Sequence, residues 1–117
     1  MIVALPVVEA GGRRLVNPHF GKSNLFAVID VETGEVETLK NPALHLKRGR
    51  GRLIAQALKE RGVGAVLVKE IGPGAFERLR EAGIEPYLVP REVKEVAEAV
   101  ELFKEGKLKR LTEPNEG

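Results

Sequence analysis

Two histidines occur in this chain, and one of them stands in Asn17-Pro18-His19-Phe20-Gly21-Lys22-Ser23-Asn24, directly before the apolar run Leu25-Phe26-Ala27-Val28-Ile29. Imidazole is a proton carrier near neutral pH and a common metal ligand. Here a proline stiffens the loop that presents it and a glycine turns the chain after it, a setting suited to binding or catalysis. The second histidine, His45, precedes Lys47-Arg48-Gly49-Arg50-Gly51-Arg52. Such a cationic run attracts phosphate, nucleic acid or an anionic cofactor, and a solvated, solubilising loop has the same composition. A third segment, Gly72-Pro73-Gly74, reads as the turn from a strand into a helix. It lacks the Gly-Lys-Ser/Thr ending of a phosphate loop, so its contribution would be free N–H groups at a helix N-terminus. Just before it, Lys69 and Glu70 end an apolar strand, where a surface ion pair is the plainer reading.

Several chemistries are absent from these residues. There is no cysteine, hence no disulfide, no thiolate nucleophile and no thiolate ligand for zinc or an iron–sulfur cluster. Any metal must be held by imidazole, carboxylate or backbone, or arrive with its own ligands. Ser23 is the single serine, and although His19 lies four residues before it, no third partner completes a triad. Two-metal phosphoryl chemistry needs clustered carboxylates. The first apolar run has none, and Asp30 falls at the far end of the second.

These groups are positioned by a short alternation of elements. Residues 2–8 are almost continuously apolar, as in a strand buried on both faces, with Pro6 predicting a bulge or a break in pairing. Strands are expected over 25–31 and 35–40, joined by Glu32-Thr33-Gly34, and the charged alternation of the latter suits a sheet edge. A helix over 52–61 follows, with Leu53, Ile54, Ala57 and Leu58 on one stripe and Gly62 as its stop. Residues 65–68 read as a buried strand and 73–82 as a helix. Residues 85–89 read as a last strand, placed at an edge because of Pro86, and 92–105 as a last helix. The order is β-β-β-α-β-α-β-α, an α/β fold with a five-stranded mixed sheet. A right-handed crossover then sets the fourth strand parallel to the first. In that arrangement the segments 9–24, 41–52 and 69–75 share one sheet edge, the edge where open α/β sheets bind ligands.

At 117 residues the chain makes one domain, expected over 1–111, with 112–117 as a flexible C-terminal tail. No run is long enough to span a membrane and no signal peptide is apparent, which makes the expected location cytoplasmic. Charged residues make up 31%, with a single Gln and a single Met, a balance typical of thermophile surfaces. The net charge of +2 is uneven: residues 1–62 carry ten Lys/Arg and six Asp/Glu, residues 63–117 nine and eleven. The excess of cations thus falls in the half that holds both histidines. No residue pattern sets the oligomeric state; a monomer or weak dimer is expected.

Taken together, His19-Phe20-Gly21, Asp30-x-x-Thr33-Gly34, Asn41-Pro42, the Gly-rich start of the first helix, Gly62-Val63-x-Ala65-Val66 and Ile71-Gly72-Pro73-Gly74-Ala75-Phe76 form a pattern. It resembles the dinitrogenase iron–molybdenum cofactor biosynthesis family, which includes NifX- and NafY-type carriers and the C-terminal domain of NifB-type proteins. The likeness runs over about residues 1–108. The resemblance implies a ribonuclease-H-like three-layer α/β/α fold without nuclease activity. It also implies a non-enzymatic carrier or chaperone for an iron–molybdenum-type or iron–sulfur cluster, or its precursor, working with cluster assembly or acceptor proteins. His19 would be the metal ligand, with His45 a second one. Phe20, Gly21, Lys22, Arg48, Arg50, Arg52, Gly72 and Gly74 would complete the cofactor site. The departures from the family's pattern are the strongly basic 47–52 segment and the pair Lys69-Glu70 where a small residue is usual. The alternative reading is an anion or nucleic-acid binding module on the basic segment, although Phe20 is the one aromatic available there for base stacking.

Overall fold

The computed structural model describes residues 1–116 as a single mixed sheet with helices on both faces. Its elements are β1 (Ile2–Ala10), β2 (Arg13–Val16), β3 (Leu25–Asp30), β4 (Val36–Lys40), α1 (Arg50–Glu60), β5 (Val63–Val68), α2 (Pro73–Glu81), β6 (Glu85–Leu88), α3 (Val96–Lys104) and β7 (Lys109–Arg110). The sheet order is β4-β3-β1-β5-β6-β7, with β2 paired to the far end of β1. β1, β5 and β6 run parallel, as the crossovers require, and the remaining pairings are antiparallel. The alternating side chains of β1 divide the interior. Ala4 joins α1 and α2 through Ile54, Leu58, Phe76 and Leu79, whereas Val3, Leu5 and Val7 join α3 through Val96 and Ala99. Three layers result.

Seven strands replace the five expected. The first addition, β2, forms a hairpin with β1 through Gly11 and Gly12, both at positive φ (57° and 77°), the backbone demanded by a tight two-residue turn. The second, β7, pairs Tyr87 and Leu88 with Arg110 and Lys109, so β6 is not the edge predicted from Pro86. Pro86 is accommodated because its carbonyl accepts from Leu111 N at 2.9 Å. Pro6 likewise breaks nothing. Its pairing with β3 is regular from Ile2 to Val7, and the irregularity lies between Ile2 and Val3 on the β5 side. The Pro6 carbonyl accepts from Asn17 N at 2.8 Å. In an extended strand N–H and C=O of one residue point the same way, so the missing donor falls in the seam where β5 ends and β2 begins.

The last helix starts four residues later than its apolar spacing predicts. β2 captures the preceding segment: Val16 N donates to Lys94 O at 2.8 Å, Leu15 bridges Glu95, and Arg13 Nε donates to the Glu95 carboxylate at 3.1 Å. The tail contains a docked residue, with Asn115 hydrogen-bonded to Lys69 and Ile71, while Gly117 of the expected tail lies outside the described residues. Among the described residues no helix is long and apolar enough to cross a membrane.

Candidate functional site

The loop between β2 and β3 is held open by side chains rather than by regular pairing. Asn17 Oδ1 accepts from His19 N at 2.9 Å, a local turn that the asparagine forms with its own chain. Buried Ser23 donates Oγ–H to Leu25 O at 2.7 Å. Asn41, also buried, donates Nδ2–H to Gly21 O at 3.0 Å and Ser23 O at 2.8 Å, and its Oδ1 accepts from Ala43 N at 2.8 Å. One asparagine after β4 therefore clamps the histidine loop. Within that loop Phe20 turns inward, with its ring edge-on to Phe26 at 5.3 Å between centroids, and His19 turns outward. Phe20 anchors the loop so that its neighbour is fixed.

The exit of β5 meets this loop. His19 forms a parallel bridge with Glu70, and its Nδ1 lies 3.8 Å from Glu70 Oε2. Lys69, beside it, points the other way and donates to Arg91 O at 3.2 Å; burial first, and then the charge of Lys94, lowers its pKa. Glu116 completes a group with His19 and Glu70 whose donor atoms all lie within 4.8 Å of one another, a spacing within reach of a metal ion.

Next to His19 lies a groove of about 470 Å³ lined by Gly21, Lys22, the 47–52 segment, Gly72, Gly74, Ala75, Arg78 and Glu116. Its floor is built from two helix N-termini set side by side. Neither α1 nor α2 has a side-chain cap or an acidic residue in its first turn. The first-turn N–H groups, from Arg50 to Arg52 in α1 and Gly74 and Ala75 in α2, have no acceptor within their own helices. The contact between the two helices requires glycine at position 51, where a Cβ would stand 2.7 Å from Ala75 Cα. Around this floor stand Lys22, Lys47, Arg48, Arg50 and Arg52, none within 4.0 Å of an acidic side chain among the described residues. Arg50 Nε is shielded from solvent and has no acceptor among the described residues. Two positive dipole ends and five cations without acidic partners among the described residues give this surface the chemistry to hold a polyvalent anion.

Nine of the ten residues singled out from the sequence line this groove: His19, Phe20, Gly21, Lys22, Arg48, Arg50, Arg52, Gly72 and Gly74. His45 is the exception. The turn closed by Leu46 N donating to Ala43 O at 3.0 Å packs Ala43 and Leu46 against the core and leaves His45 exposed, outside the groove and outside the His19 group. Glu70 does not form the surface ion pair expected with Lys69 but faces His19, while Glu116 and Asn41 are parts of the site that the sequence does not single out. Asn41 carried a signal in its Asn-Pro pair, whereas Glu116 sits in a segment with no periodicity and reaches the site only through tertiary docking.

The family model for the dinitrogenase iron-molybdenum cofactor matches residues 1–106. The chain belongs to this family. Its fold matches the apo form of the orange protein from Desulfovibrio gigas with a TM-score of 0.89 and 33% identity, covering 98% of this chain and 96% of that one. A provisional NifB protein from Thermotoga matches with a TM-score of 0.81 and 32% identity, covering 98% and 97%. An uncharacterised protein from Methanocaldococcus jannaschii is 32% identical over 114 residues, which covers 95% of this chain and 92% of that relative. Coverage is nearly complete on both sides, so the chain spans almost the full length of each of these relatives.

Proposed function

We propose that this protein is a non-enzymatic carrier that holds an anionic metallocluster, of iron–sulfur or iron–molybdenum type or a precursor of one, in the groove beside His19. The observation that carries the reading is the convergence of two uncapped helix N-termini with five cations that have no acidic partner among the described residues, on one concave surface next to the exposed imidazole of His19. A sulfide-bridged cluster brings most of its own ligands, so a chain without cysteine is able to bind it. Its negative charge would meet the arginines, lysines and N–H donors, while an exposed metal would take His19. Family membership supports a cofactor-related role, and the apo form of the orange protein, a close structural match, is the form of a protein without its ligand. The path β4-β3-β1-β5-β6 supports reading the core as ribonuclease-H-like, with β2 and β7 as additions to it. Delivery to an assembly or acceptor protein in the cytoplasm follows from the same reading.

The test is anaerobic reconstitution with ferrous iron and sulfide, followed by desalting and metal and sulfide analysis. The wild type is expected to emerge as a coloured complex of fixed stoichiometry, and His19→Ala to lose most of it. Equal retention by the two proteins, or none by either, defeats the proposal. A nucleic-acid module on the same basic surface has weaker support, because the one aromatic side chain at the groove, Phe20, is packed against Phe26 and offers no stacking platform. Its signature would be RNA or DNA binding at low salt that falls with loss of Arg48, Arg50 and Arg52.

A further inference from the structure

Glu116 is the one acidic side chain among the described residues that line the groove. Its carboxylate lies where the two halves of the groove meet. On one side it shares the 4.8 Å grouping with His19 and Glu70. On the other, Glu116 Oε1 stands 3.2 Å from the position of a methyl group built on Gly72, the residue that opens α2. An anion touching both the imidazole and the N-terminus of α2 meets this carboxylate in its path, and like charges at such a range repel.

The placement is fixed by the residue before it. Asn115 Nδ2 donates to Lys69 O at 2.8 Å and its Oδ1 accepts from Ile71 N at 2.8 Å. The backbone N–H groups of Asn115 and Glu116 both point to Ile71 O, each at 3.1 Å. This latch grips the strand exit that carries Glu70, so the carboxylate is delivered to the groove rather than left to wander. A negative charge beside the N-terminus of α2 also supplies the stabilisation that the missing helix cap would give.

We infer that Glu116 is a built-in competitor, a carboxylate that occupies the anion groove when it is empty and is displaced when anionic cargo enters. The inference rests on the reading of the groove given under Proposed function and adds its regulation. Its effect is to hold affinity below what the cations and helix ends alone would provide, which suits a protein that must give its cargo up.

The experiment is calorimetric titration of the full chain with pyrophosphate, a metal-free polyvalent anion, at low ionic strength. Glu116→Gln, which keeps shape and removes charge, is expected to bind about fivefold tighter or more. Glu113→Gln removes an equal charge from the same segment outside the groove lining and is expected to change affinity by less than about twofold. Unchanged or weaker binding by Glu116→Gln, or an equal gain from Glu113→Gln, overturns the competitor while wild-type binding leaves the anion groove standing. Absence of pyrophosphate binding in the wild type and both variants overturns the competitor and the anion-groove reading together.

Discussion

Single side chains in this site divide into those that face a ligand and those that hold the facing residues still. Asn41 belongs to the second group. Its amide satisfies two carbonyls of the histidine loop and one N–H of its own turn, all three bonds at or below 3.0 Å. Asn41→Ala leaves those groups without partners in a buried place, and a loss of about 2–3 kcal/mol is expected in urea unfolding, with an unchanged m-value. The two histidines make the opposite case. Both are exposed and both stand near basic residues in sequence, yet of the two His19 alone lines the groove. His45→Ala is therefore expected to retain the reconstituted cluster at wild-type stoichiometry, under the conditions where His19→Ala loses it. A joint loss in both variants would show that the groove alone does not define the site.

At the scale of elements, the groove depends on how closely α1 and α2 approach. Gly51→Ala puts a methyl group 2.7 Å from backbone at Ala75, which a side-chain rotation cannot relieve, so the helices must separate at their N-termini. A destabilisation of about 1–3 kcal/mol is expected, together with weaker pyrophosphate binding as the two dipole ends move apart. Thermal unfolding and calorimetry on the same sample measure both. These helices were legible in the sequence because their apolar spacing and their glycine stops agree with the packing they adopt, as with Ile54 and Leu58 before Gly62. The parallel placement of β5 beside β1, and with it the meeting of three distant loops, followed from crossover handedness alone. Where reading failed, a tertiary partner had overridden a local pattern. The apolar spacing at 92–105 ignores the pull of β2 on Lys94 and Glu95. Gly11-Gly12 between two short runs was a hairpin signal, but the charged residues around it resemble a loop. Two residues are too few for any period to announce β7.

The molecule as a whole is nearly neutral, so the field that serves the groove has to be local. Its extents are 31 × 30 × 26 Å, and α3 packs on the sheet face opposite α1 and α2. At 0.1 M ionic strength charges are screened over about 10 Å, which leaves the cations of the α3 side with little influence on an anion at the groove. Two double variants that remove the same net charge separate local field from total charge. Arg48→Ala with Arg52→Ala removes two groove cations. Lys104→Ala with Lys107→Ala removes two cations from the C-terminal end of α3 and the turn that closes it. The first pair is expected to weaken pyrophosphate binding by about tenfold or more and to flatten its dependence on salt between about 0.02 M and about 0.2 M. The second is expected to change affinity by less than about twofold at the higher salt. Equal losses from the two pairs would mean that net charge, rather than the geometry of helix ends and arginines, governs binding, and the groove would then have no claim to selectivity for a compact polyvalent anion.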